Sequence, residues 1–230
     1  MSYQAGNASG FFLAGTVIQC LAMVNYPSYS APNWQSTMCV LGVVIISGIF
    51  NIWLSRFFPL LNNISMVLHV TGFVAVVVSL WVLAPHPPAK DVFLNFTNEG
   101  GWSSTALSLM VGQISAIAAL GCSDAAAHMA EEVSDAGLSV PRSMIWTFFI
   151  NGSTGLIFLI TLLFAIPSVD DALNDPTGYP FLYVFQLALP NGATNILTVI
   201  TVFLLMVGNI SFTASCARQL WSFALSLIHI

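Results

Sequence analysis

Five apolar stretches, 37–57, 63–84, 104–127, 143–166 and 195–217, run through this chain of 230 residues. Each reaches or passes the ~20 residues that a helix rising 1.5 Å per residue needs to cross bilayer hydrocarbon. A shorter run, 10–25, reads as a partial span at the start. Such lengths argue against a membrane barrel, whose strands need only about 10 residues in strict alternation. Charged residues make up 6% of the chain and hydrophobic ones 57%. A soluble domain carries about 25% charged residues, so this chain cannot clothe a water-facing surface. The expected fold class is all-α, a polytopic membrane helix bundle forming one integral membrane domain over 1–230, with the lipid bilayer as its solvent.

Several functions are excluded at this point. A net charge of −5 offers nothing to nucleic acid. Cys20, Cys39, Cys122 and Cys216 lack metal-binding spacing and lie in or beside apolar runs, where a thiol acts as a small hydrophobe. The opening MSYQAGNASG has no basic region, so no cleavable signal is expected. With no nucleophile–base pair, metal spacing or phosphate loop, the chain reads as a non-enzyme without a cofactor.

The six tryptophans fall near expected helix ends, as in an interfacial belt, and the eleven prolines fall between spans, with Pro141 suited to the first turn of the fifth. Arg56, Arg142 and Arg218 would share the cytoplasmic side and Lys90 the outer side. The sequon Asn95-Phe96-Thr97 lies in the outer loop that this orientation implies. Ser104, Ser108, Gly112 and Ala116 form a small-residue stripe suited to close helix approach. Gln19, Asn51, Gln113, Asn151, Asn209, Ser211 and Thr213 are polar residues at membrane depth, of the kind that more often bond between helices than bind ligand.

One stretch, GCSDAAAHMAEEVSDAGLSVPRS (121–143), holds four of the nine acidic residues. On a helix, Asp124, His128, Glu131, Glu132 and Asp135 fall within one arc of about 100°. Ala126, Met129, Ala130 and Val133 take the other face. That pattern reads as a helix leaving the membrane, with His128 meeting Glu132 one turn on, Gly137 ending it and Pro141 opening the next span. Asp124 differs, because a carboxylate at membrane depth normally faces a partner or a water-filled cavity. Gly121 and Ser123 are poor helix formers, so a break there would free backbone groups able to hold a substrate carboxylate or ammonium.

LGCSDAAAHMAEEVSDAGLSVPRSM (120–144) resembles the segment around the sixth helix of fungal amino acid, choline and GABA permeases, members of the amino acid–polyamine–organocation superfamily. AGNASGFFLAGTVIQ (5–19), FLNFTNEGGWSS (93–104), PTGYPFLYVF (176–185) and TASCARQLWSFA (213–224) extend the likeness over nearly the whole chain. The resemblance implies a fold of two inverted repeats of five helices, with substrate held between broken first and sixth helices. It puts the end of helix three and helices four to eight in this chain. Leu120, Gly121, Cys122, Ser123 and Asp124 then form the substrate-binding break, while Ser211 and Thr213 lie in the region where cation-coupled relatives hold an ion. The implied activity is secondary active transport of an amino acid, choline or another small amine, with proton coupling, in the plasma membrane.

The likeness is incomplete at both ends. Nothing corresponds to the first helix, and Trp221-Ser222-Phe223-Ala224 is followed by LSLIHI, where the family continues into a longer cytoplasmic stretch. The expectation is a fragment of a larger permease. Its alternatives are a truncated, transport-inactive product and a regulatory or assembly partner of a full-length permease.

Overall fold

The computed structural model describes residues 2–228 apart from 27, 95, 97, 99 and 122. Cys122, the sequon positions Asn95 and Thr97, and the side chains of Met129, Glu131 and Glu132 therefore lie outside the described residues. Every regular element among the described residues is helical: α1 Ser2–Asn25, α2 Asn33–Trp53, α3 Phe58–Leu83, α4 Ala89–Leu94, α5 Thr105–Leu120, α6 Ala136–Ala165, α7 Val169–Leu173, α8 Pro180–Ala188 and α9 Asn191–Ile228. Short 3-10 segments occupy Ser55–Phe57 and Ala127–Glu132. Among the described residues, five helices are long and apolar enough to cross a membrane: Tyr3–Asn25, Asn33–Trp53, Ser55–Leu83, Ala136–Ala165 and Asn191–Leu225. The chain divides into two compact units, 1–84 with 168–230, and 85–167.

In the first unit, α1 packs antiparallel to both α2 and α9. The run read as a partial span from residue 10 is a full helix from Ser2. Among its early residues, buried Asn7 and the glycines at 6 and 10 face protein. Gly6 lies against the Phe212 ring and Gly10 against the Asn209 amide, while Ser9 and Thr16 bond back to the carbonyls of Ala5 and Phe12. At Gly15 the helices come closer still, since a Cβ there would lie 2.7 Å from the backbone nitrogen of Val40. Such close approach is how membrane helices gain packing energy where lipid provides no hydrophobic drive.

Helix α3 runs alongside α9, with Val76 and Leu80 buried and Gly72 facing Ile200. Asn25 and Asn195 exchange amide hydrogen bonds of 3.0 and 2.7 Å at one end of the α1–α9 pair. The start of α1, the α2–α3 connection and residues 210–213 of α9 meet at the other end. Helix α9 covers 191–228, well beyond the expected 195–217. Helix α8 buries Leu182, Val184 and Phe185, and the Phe185 carbonyl accepts from Thr194 Oγ1 at 3.1 Å.

The second unit departs most from expectation. The span expected over 104–127 stops at Leu120, leaving 16 residues, or about 24 Å of helix against roughly 30 Å of hydrocarbon. The charged segment after it consists of turns and the 3-10 segment 127–132, not the one-faced α-helix that its periodicity suggested. Asp135, at φ 54°, ends the segment, and Gly137 lies inside α6 instead of closing a helix. Starting seven residues before the expected 143, α6 has Pro141 and Trp146 in its interior. Not all prolines lie between spans, then: besides Pro141, Pro59 sits in the first turn of α3. Local bonds compensate around Pro141, with Leu138 and Ser139 N–H reaching the Asp135 carbonyl and Ser143 Oγ reaching Ser139. Phe93 of α4 packs edge-on against Phe164, 5.8 Å between ring centres, near the end of α6.

A candidate substrate site at the break after the fifth helix

The break begins at Gly121, whose backbone (φ −58°, ψ 166°) leaves the helix while its N–H still reaches the Ala118 carbonyl at 3.2 Å. A Cβ at that position would lie 3.0 Å from the same oxygen, tighter than a side chain accepts without a shift, so glycine suits the exit. Ser123 turns back and donates through Oγ to the Leu120 carbonyl at 2.8 Å. One of the helix's open carbonyls is thereby satisfied, as a terminus away from water requires. Asp124 and Ala125 carbonyls then accept from the N–H groups of Ala127 and His128, which winds the chain into the 3-10 segment.

The depth of this exit follows from packing within the unit. A Cβ on Gly152 would meet the Leu120 side chain at 3.7 Å, and Gly152 lies near the middle of the 30-residue helix α6. Helix α5 thus ends halfway along its neighbour. Asn151, Ser153 and Gly155 are exposed on that middle stretch of α6. Past the break, Asp124 Oδ2 and His128 Nε2 stand 3.5 Å apart, their side chains 54% and 28% exposed. His128 therefore reaches back to Asp124, whereas the Glu132 side chain, its expected partner, lies outside the described residues. The last turn of α5 has no basic residue, and a helix C-terminus carries about half a negative charge. Carbonyls and the Asp124 carboxylate together make this end of the unit suited to a cationic group.

Of the expected site residues, Leu120, Gly121, Ser123 and Asp124 form this continuous turn, and Cys122 lies outside the described residues. Ser211 and Thr213 belong to the other unit and point in different directions. Ser211 Oγ faces Asn62 of α3 at 3.4 Å, while Thr213 Oγ1 donates to the Asn209 carbonyl at 2.7 Å and accepts from Asn7 Nδ2 at 3.2 Å. Two residues apart on a helix means about 200° of rotation, so their hydroxyls do not converge on one ion. Asn209 donates to the Gly10 carbonyl at 3.0 Å, and Asn51 to Ile210 at 3.1 Å. The membrane-depth amides of this unit thus tie helices together.

Two features escaped the sequence reading. Buried Asn7, the partner of Thr213, lies in a stretch taken as lying before the first span. The loop 174–179 docks on α1, where Tyr179 OH meets Thr16 Oγ1 and Cys20 Sγ donates to the Thr177 carbonyl at 3.3 Å. Its signal was turn chemistry, Pro176-Thr177-Gly178, with Gly178 at φ 70°.

A family model described as amino acid permease matches residues 1–226. A Macrophomina phaseolina protein bearing the name of an amino acid/polyamine transporter is 26% identical over 93% of this chain and 47% of its own. The choline transporter of Saccharomyces cerevisiae is 25% identical over 95% of this chain and 39% of its own. The 7-keto 8-aminopelargonic acid transporter of the same yeast is 25% identical over 72% of this chain and 30% of its own. This chain therefore spans less than half the length of these curated relatives. No solved structure matches it.

Proposed function

Because the chain belongs to the amino acid permease family, we propose that it forms the substrate-contacting part of a secondary transporter for amino acids or small organic cations. The observation that carries the reading is the end of α5 at Gly121, halfway along α6, with the Asp124–His128 pair just beyond it. In this reading the substrate's ammonium group lies between the last carbonyls of α5 and the Asp124 carboxylate. Leu120 supplies an apolar wall, Gly121 allows close backbone approach, and Ser123 lines the turn. Amines are the shared chemistry of the relatives' named cargoes: polyamines, choline, and an amino-substituted keto acid. Ser211 and Thr213 enter as two separate polar positions of α9, and the host membrane is the plasma membrane.

Asp124→Asn tests this. The substitution keeps size and polarity while removing the charge. A hydrogen bond to a charged group is worth about 1.5–3 kcal/mol, so initial uptake of radiolabelled putrescine in permease-deficient yeast should fall by about tenfold or more. Unchanged uptake and unchanged pH dependence would remove Asp124 from the substrate site.

A further inference from the structure

Asp124 and His128 meet where the local winding does not bring them together. The Ala127 N–H reaches the Asp124 carbonyl at 2.9 Å and the His128 N–H reaches the Ala125 carbonyl at 3.2 Å. These three-residue spacings lead into the 3-10 segment Ala127–Glu132. Three residues per turn stack side chains at i and i+3, so a residue four positions on starts about 120° away. An α-helix would set the same two residues side by side. Here the carboxylate and the ring close on each other across the turn, with Oδ2 and Nε2 3.5 Å apart.

The contact also has a direction. The chain runs from the end of α5 through Gly121 and Ser123 to Asp124, and His128 follows on the segment that packs on α6. The ring approaches one carboxylate oxygen, Oδ2, and is the more sheltered partner. A half-exposed aspartate has several staggered rotamers within reach, and each points the charge at a different place. An imidazole donates to a carboxylate as the neutral Nε2–H tautomer and as the charged ring alike, so the contact holds in either form. Ser123 steadies the start of the same turn through its bond to the Leu120 carbonyl at 2.8 Å.

We infer that His128 is a positioning residue, which by holding Oδ2 fixes the Asp124 carboxylate and leaves Oδ1 for the ammonium group of a substrate. Binding groups are effective when neighbouring contacts lock their rotamers, and His128 acts here through Asp124, not by touching substrate. The inference rests on the transport reading above, and its test separates the two. Binding of tritiated putrescine to the whole chain in nanodiscs is measured through a double-mutant cycle. His128→Leu keeps much of the ring's bulk and removes the donor. It should weaken binding about three- to tenfold, within the coupling usual for residues in contact. Asp124→Ala removes the carboxylate, and His128→Leu added to it should then change affinity by less than about twofold. A residue that merely supports the fold would cost as much in that background as in the unaltered one. His128→Gln, with an amide N–H at the reach of Nε2, should recover most of the loss. Binding by H128L as tight as the unaltered chain's, or tighter, overturns the inference. So does an equal loss in both backgrounds, or an H128Q as weak as H128L. Loss with Asp124→Ala beside an indifferent His128→Leu removes His128 alone and leaves the transport reading standing. If Asp124→Ala leaves binding intact, or the unaltered chain binds no putrescine, that reading falls and the inference with it.

Discussion

A methyl group on Gly15 would lie 2.7 Å from the backbone nitrogen and 2.9 Å from the Cα of Val40. Backbone cannot move aside as a side chain can, so Gly15→Ala must separate α1 from α2. Gly10 is a milder case, because its added methyl would meet the Oδ1 of Asn209 at 2.3 Å, and that amide can rotate at the expense of its bond to the Gly10 carbonyl. Overpacking costs about 1–3 kcal/mol. Thermal unfolding in detergent should therefore rank the variants Gly15→Ala below Gly10→Ala, both below the unaltered chain. Gly48→Ala is the control, with nothing within 4 Å of its added methyl. In a helix interior it gains up to about 1 kcal/mol of propensity. A destabilised Gly48→Ala beside a neutral Gly15→Ala would show that the α1–α2 approach is looser than these distances. Sequence alone concealed this because Gly6, Gly10 and Gly15 sit among Asn7, Ser9 and Thr16, which dilute the apolar signal. In membrane helices small residues mark the tightest contacts, and a hydropathy count takes them for a helix end.

At the scale of elements, length was the legible property and interruption was not. Apolar runs placed α2 and α3 within about five residues of their termini and the start of α9 within four, because nothing but a helix satisfies the backbone across hydrocarbon, but α9 runs on to Ile228, past the expected end at 217. The break in α5 was legible only in part. Gly121 and Ser123 flagged it, but the acidic arc from Asp124 to Asp135 is equally consistent with helix and with turns, and periodicity cannot separate them. The start of α6 was misplaced because Pro141 was taken as a first-turn residue, when the helix already begins at Ala136. That placement yields a prediction. Proline at 141 removes the N–H that would bond the Gly137 carbonyl, and an interior proline costs about 3 kcal/mol relative to alanine. Pro141→Ala should restore that bond, stabilise the first turns of α6 by about 1–3 kcal/mol, and slow amide exchange over 137–145. Unchanged exchange there would place the true start of α6 after residue 141. The candidate site was legible as a break with a carboxylate beside it. Its depth was not, since that depends on Leu120 meeting Gly152 across 32 positions of sequence.

For the whole molecule, orientation rests on four basic residues, and the geometry of each unit bears on it separately. In the first unit, Arg56 follows α2 directly, and Asn51 and Asn62 bond to Ile210 and Ser211 of α9. Arg56 and Arg218 therefore lie toward the same end of that bundle. In the second unit, Lys90 belongs to α4, which packs at the far end of α6 through Phe93 and Phe164, whereas Arg142 lies in the opening turns of α6. Lys90 and Arg142 thus stand toward opposite ends of one long helix. The first arrangement agrees with a rule that keeps arginine and lysine near membrane ends on the cytoplasmic side, and the second, with one basic residue toward each end of α6, is neutral to it. Acidic residues, more than twice as numerous, contribute little to that rule, which is why the charged stretch 121–143 does not decide the matter. Single cysteines at 56, 90, 142 and 218 in a cysteine-free background make the prediction measurable in sealed right-side-out vesicles. An impermeant maleimide should label position 90 at once and the other three only after permeabilisation. Labelling of 142 together with 90 would place both ends of α6 on one face, and the helix would then not be a span. Labelling of 56 and 218 from outside would invert the first unit and overturn the assignment of the arginine side to the cytoplasm.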